Sequence, residues 1–202
     1  MCLLLYNVQK VRAQSLFHQD VFYGGVTSGG FSSGMGTGSG TIDLYIEPGS
    51  TIRKAYLFSY RVGFPPTVPI TVNNHLYLFD TLKCIMSVQH TSPWANPIKL
   101  YYLDITEDLL PSPASTFHID IPFQPGLPIN WSWCTALLYI EYDNPNLSKI
   151  ATSIWINNQD YVGYENYSML GMNPINTSNP VGLSLMLDRA CNDTYEGTIV
   201  NV

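Results

Sequence analysis

Apolar and polar positions alternate in short runs along most of this chain, and one stretch breaks the alternation. From Cys134 to Ile140 the chain is almost continuously apolar and rich in residues that suit a pleated surface. A run of that length, bounded by turn residues, predicts a strand covered on both faces. Asp143-Asn-Pro-Asn146 ends it, because Pro145 cannot continue a hydrogen-bonded ladder and Asp and Asn favour turns. Ile150 to Ile156 then predicts a second strand. The two read as a hairpin at the centre of a sandwich.

The remaining pattern is also β in character. In Thr51 to Arg61, Ala55, Leu57 and Ser59 fall on one face, and Lys54, Tyr56 and Phe58 on the other. Ile70 to Phe79 predicts a hairpin turning at Asn73-Asn74, a pair that tolerates positive φ. Cys84 to Gln89, Phe117 to Ile121, Val181 to Leu187 and Thr198 to Val202 read as further strands. Lys99 to Leu103 leads into Asp104-Ile-Thr-Glu-Asp-Leu-Leu110, the only helix signature. Asp104 is a natural N-cap, Glu107 follows three residues on, and Pro111 terminates about two turns.

Gly24 to Gly40 holds eight of the 15 glycines and reads as a flexible loop or linker. A phosphate-binding loop would open a helix, but Thr41 to Ile46 follows with strand alternation. Residues 1–23 read as an N-terminal arm, or as an edge strand of the same domain. The division expected is therefore an arm over 1–23, a Gly-rich linker over 24–40 and a single sandwich over 41–202. The fold class is all-β: a jelly-roll-like antiparallel β-sandwich with one short helix and an extended arm. A parallel α/β sheet is excluded by the lack of crossover helices.

Composition narrows the partners. Charged residues make up only 12% of the 202 positions while aromatics reach 13%. Surfaces so poor in charge suit burial against neighbouring subunits, or exposure outside cells. The net charge of −6, with nine Lys and Arg that form no cluster, argues against a nucleic-acid partner. No stretch is long and apolar enough for a membrane span. Met1 to Tyr6 lacks the basic start and the length of a signal peptide. Cys2, Cys84, Cys134 and Cys191 are too widely spaced for a zinc-ligand pair and read as free thiols.

No catalytic constellation emerges, and no cofactor is expected. His18, His75, His90 and His118 are scattered, so a metal or Cys–His site would have to be assembled by folding; isolated structural or surface histidines are the simpler reading. Asp188, Asn192, Asp193 and Glu196 are oxygen-ligand candidates for calcium, although Arg189 opposes them and a solvated loop explains them as well. Asp104, Glu107 and Asp108 are explained by helix capping rather than as paired catalytic carboxylates. Trp131 and Trp133 share a strand face and are candidates for stacking on a glycan; core packing is the competing reading.

Three segments in this order, Ile52 to Tyr60, Asp104 to Leu110 and Ala136 to Pro145 with Ile150 to Gly163 behind it, resemble a known domain. It is the β-sandwich that opens many repeat-rich bacterial adhesin-like surface proteins, with related sandwiches in minor capsid proteins of large DNA viruses. The resemblance implies a non-enzymatic structural or adhesive module and transfers no catalytic residue. Neither a secretion signal nor downstream repeats are read in these 202 residues, which favours a stand-alone building block and leaves open a piece of a longer protein. The function expected is thus a structural subunit of a large assembly, a minor capsid or virion protein whose partners are other subunits. Leu3, Leu4, Leu5, Val8 and Val11 of the arm, with Ile199 and Val200 of the last strand, are its expected interface. The alternative is an extracellular adhesin or carbohydrate-binding module.

Overall fold

The computed structural model describes residues 14–35, 37–63, 65, 67–88, 97–110, 115–122 and 133–157. These residues form an antiparallel all-β sandwich with one short α-helix. The strands are β1 (Gln14–Met35), β2 (Gly38–Asp43), β3 (Thr51–Val62), β4 (Ile70–Val72), β5 (His75–Tyr77), β6 (Cys84–Val88), β7 (Ile98–Asp104), β8 (Thr116–Ile121), β9 (Trp133–Asp143) and β10 (Lys149–Asn157). Six strands follow the order β10-β1-β9-β3-β7-β6, and four follow β2-β8-β4-β5.

The main core lies between the two sheets. Ala55 and Leu57 of β3 and Cys134, Ala136, Leu138 and Ile140 of β9 point into it, opposite Ile42, Ile70, Val72, Phe117, Ile119 and Ile121 of the smaller sheet. The other face of β3 and β9 is also covered. Tyr56, Phe58 and Tyr139 pack there with Ile154 of β10 and Phe17 of β1. Both parities of β9 are therefore buried, as its unbroken apolar run predicts.

That second cover comes from a long strand that changes partner. Residues 24–35 of β1 pair with β9, and residues 14–23 pair with β10. The change falls at Gly24, where an added Cβ would lie 1.8 Å from the Tyr142 carbonyl oxygen. Only glycine admits that approach. The first half of β1 and β10 then form a ribbon over the outer face of β3, β7 and β9. Phe17 meets Tyr56, Phe58 and Tyr102 edge-on there, at ring-centroid distances of 5.4, 5.4 and 4.9 Å.

Several expectations are corrected. The Gly-rich stretch is not a linker: most of it is strand, in β1 and β2. Its glycines serve close packing, as at Gly29, where a Cβ would stand 2.7 Å from Ile42 Cγ2. Residues 14–23 of the expected arm are strand, held by β10. β9 and β10 are not a hairpin, because each pairs with a different half of β1. Their connection clasps the changeover point: Asn144 N donates to Tyr23 O (2.9 Å) and Gly24 N to Ser148 O (3.4 Å). The helix α1 is a single turn, Thr106–Leu109, and not two. Its N-cap is Ile105, which makes no side-chain cap bond, and not Asp104, which ends β7 one residue earlier with its Oδ1 accepting from Thr106 N at 3.1 Å. The Asn73-Asn74 turn is as expected, with φ of 48° and 67°.

Candidate functional site

Most polar side chains of a sandwich face water. One group here does not. Glu141 stands on the outer face of β9, in step with Leu137 and Tyr139, and the ribbon covers it completely (side-chain exposure 0%). The ribbon brings His18 to it: Nε2 lies 3.0 Å from Glu141 Oε1. A bulge sets this contact up. Leu16 pairs with Trp155 and His18 with Ile154, so Phe17 is the extra residue. The bulge lets Phe17 and His18 face inward together, which strict alternation forbids. Asp20, two residues on, shares His18's face.

Hydroxyls complete the cluster. Thr152 Oγ1 donates to Tyr139 Oη (2.6 Å), which donates in turn to Glu141 Oε1 (2.8 Å). Burial and the neighbouring Glu141 charge raise the Tyr139 hydroxyl's pKa well above its ordinary value, so it remains a donor. Tyr56 Oη lies 3.4 Å from His18 Nδ1. Both ring nitrogens of His18 thus have a partner, Nδ1 in Tyr56 and Nε2 in Glu141. Both donors to Glu141 reach the same oxygen. Oε2 is buried without a partner.

The nearby cations are engaged elsewhere. Arg53 Nε donates to Asp20 Oδ2 (2.9 Å), and Arg53 Nη1 reaches Asp143 at 3.4 Å. The Arg53 hydrogen bond holds the Asp20 carboxyl below its ordinary range. Lys54 pairs with Asp104. Four carboxylates thus gather around two cations, and the buried one has neither.

A second buried charge lies in the main core. Arg61 is 0% exposed; its Nε donates to Ser59 Oγ and its Nη1 to Pro65 O, both at 2.7 Å. Its guanidinium stacks over Phe79 and Tyr101, 4.7 and 5.3 Å from the ring centroids. Desolvation lowers its pKa, yet an arginine keeps its charge under these conditions. This group braces the end of the sandwich where β3 and β7 meet the loop through Pro65.

The surface carries an apolar row beside one edge strand. Among the described residues, β5 ends the smaller sheet. Tyr77 and Phe79 point inward, which leaves Leu76 and Leu78 outward at 55% and 59% exposure. Leu82 follows at 88%, in a 3-10 turn whose backbone is capped by Asp80, with Oδ1 accepting from Leu82 N and Lys83 N.

The sequence-derived candidates fall as follows. Leu3, Leu4, Leu5, Val8, Val11, Trp131, Asp188, Asn192, Asp193, Glu196, Ile199 and Val200 lie outside the described residues, as does His90. Trp133 begins β9, but its side chain is outside the described set. His75 packs against Tyr77, and His118 lies on β8; neither belongs to the His18 cluster. Cys84 Sγ donates to Met86 O at 3.2 Å, and Cys134 Sγ lies 3.6 Å from Ser59 Oγ. The grouping of His18 with Glu141 left no signal in the sequence, since 122 residues lie between them. Comparison with protein-family models, curated proteins and solved structures finds no match. No helix among the described residues is long and apolar enough to cross a membrane.

Proposed function

We propose that this protein is a non-enzymatic structural subunit of a large assembly, a virion component of the minor-capsid kind that works through contacts with neighbouring subunits. The observation that carries this reading is the row Leu76, Leu78 and Leu82 beside β5, the edge strand of the smaller sheet among the described residues. Three leucines held outward beside an edge strand form a surface that water disfavours and another subunit would cover. The low charge content supports the same reading, because few charges would need desolvation on association.

Light scattering across a concentration series tests it. The wild-type chain should self-associate, and Leu76→Lys with Leu78→Lys should shift it to monomer while its circular dichroism stays that of the wild type. A wild-type chain that stays monomeric up to millimolar concentration would reject the proposal. So would association unaffected by the two lysines.

A further inference from the structure

We infer that His18, Asp20 and Glu141 form a binding site for a divalent transition-metal ion, with zinc as its simplest occupant. The inference is independent of the assembly reading and rests on the group beneath the ribbon. One ligand-capable atom from each of the three side chains lies within 4.8 Å of the other two. That spacing is close to what a shared cation requires: zinc–ligand bonds are about 2.0–2.2 Å, so ligand atoms across one ion stand up to about 4 Å apart.

The second observation is the state of Glu141. Its carboxylate is fully buried, both donors converge on Oε1, and Oε2 has no partner. A buried carboxylate with one unsatisfied oxygen is costly unless a positive charge shares the space. The protein's own cations do not supply it, since Arg53 serves Asp20 and Asp143 and Lys54 serves Asp104. His18 Nε2 adds its hydrogen bond to Oε1 and leaves Oε2 unmet. A metal ion would supply the charge and take up the free oxygen.

The donor set selects the class of ion. One imidazole nitrogen with two carboxylate oxygens suits zinc and its first-row neighbours, whereas calcium and magnesium favour all-oxygen shells. Around these ligands, Tyr139 bonds Glu141 and Tyr56 bonds His18, the outer support that holds metal ligands in orientation. The ligands come from β1 and β9, so the ion would pin the β1–β10 ribbon to the sheet beneath it.

The test uses the full chain, stripped with a chelator and titrated with zinc by calorimetry, with cobalt absorption as a second readout. About one zinc per chain should bind and raise the melting temperature. Glu141→Gln, which keeps the shape of the side chain, should fold and lose at least tenfold in affinity, and Asp20→Asn should weaken binding. His75→Ala should leave it unchanged. No zinc uptake by the wild-type chain, or uptake that survives Glu141→Gln in folded protein, overturns the site. Loss of binding in His75→Ala would do the same, by tracing the zinc to surface histidine.

Discussion

At the scale of single residues, Lys54 and Asp104 show how a surface pair shapes the response to pH. Partial burial alone would raise the Asp104 pKa. The hydrogen bonds from Lys54 and Thr106 more than offset it and hold the carboxyl below its ordinary 3.8. The Asp104 bond in turn raises Lys54 above 10.5. A carboxyl depressed on folding contributes stability above its unfolded pKa and loses it as pH falls through the folded value. A raised lysine contributes below its unfolded pKa and loses it as pH climbs through the folded one. The pair's contribution is therefore whole between about pH 4 and pH 10 and fades at both ends. Both side chains are about a third exposed or more, so solvent screens the pair and its effect is small. Urea unfolding of Asp104→Asn at a series of pH values should show a shallower acid decline than the wild type. An acid limb as steep as the wild type's would assign that decline to other carboxylates.

At the scale of the element, β1 depends on two local departures from a regular strand. The bulge at Phe17 turns two adjacent side chains inward, and Gly24 lets the strand exchange β10 for β9. Gly24→Ala would drive a Cβ into the Tyr142 carbonyl, a backbone atom that cannot step aside. The expected cost is about 2–4 kcal/mol, in the range of changes that strain a special backbone position. Val26→Ala, on the same strand but 38% exposed, should cost under about 1 kcal/mol. Denaturation midpoints of the two variants test this, and equal losses would show that the changeover point is not strained by a side chain. A bulge also explains β3, where Arg53 is the extra residue and Ile52 and Ala55 both reach the main core.

At the scale of the whole molecule, the described residues form layers: the smaller sheet, the main core, the larger sheet, a second apolar cluster, and the ribbon. β3 and β9 lie inside this stack and are flanked by paired strands on both sides, whereas β5 and β6 end their sheets. Opening β9 requires disrupting both clusters, but an edge can fray alone. Hydrogen exchange should therefore be slowest for β9 and β3 amides and fastest for β5 and β6. Fast exchange in β9 would contradict the double cover. Peeling the ribbon would expose Glu141, so the layer that completes the fold also encloses the proposed metal site.

Local chemistry along the chain was enough to determine much of this protein. The double burial of β9 was legible in an apolar run without alternation, and the two faces of β3 in its alternation. The turn at Asn73-Asn74 was legible in a residue pair that tolerates positive φ, and the place of α1, though not its cap, in the spacing of Asp104 to Glu107. Each of these depends on neighbours a few residues apart. The helix length was misjudged because Ile105 and Leu109 are claimed by the core after a single turn. Tertiary structure alone decided the rest. The glycines of 24–40 look like a hinge until a facing sheet shows that they are places of close approach. The β9–β10 connection looks like a hairpin until a distant strand takes both partners. His18, Asp20 and Glu141 become a cluster only through a bulge and a fold-back, because proximity between remote positions is a property of the closed structure and leaves no period in the sequence.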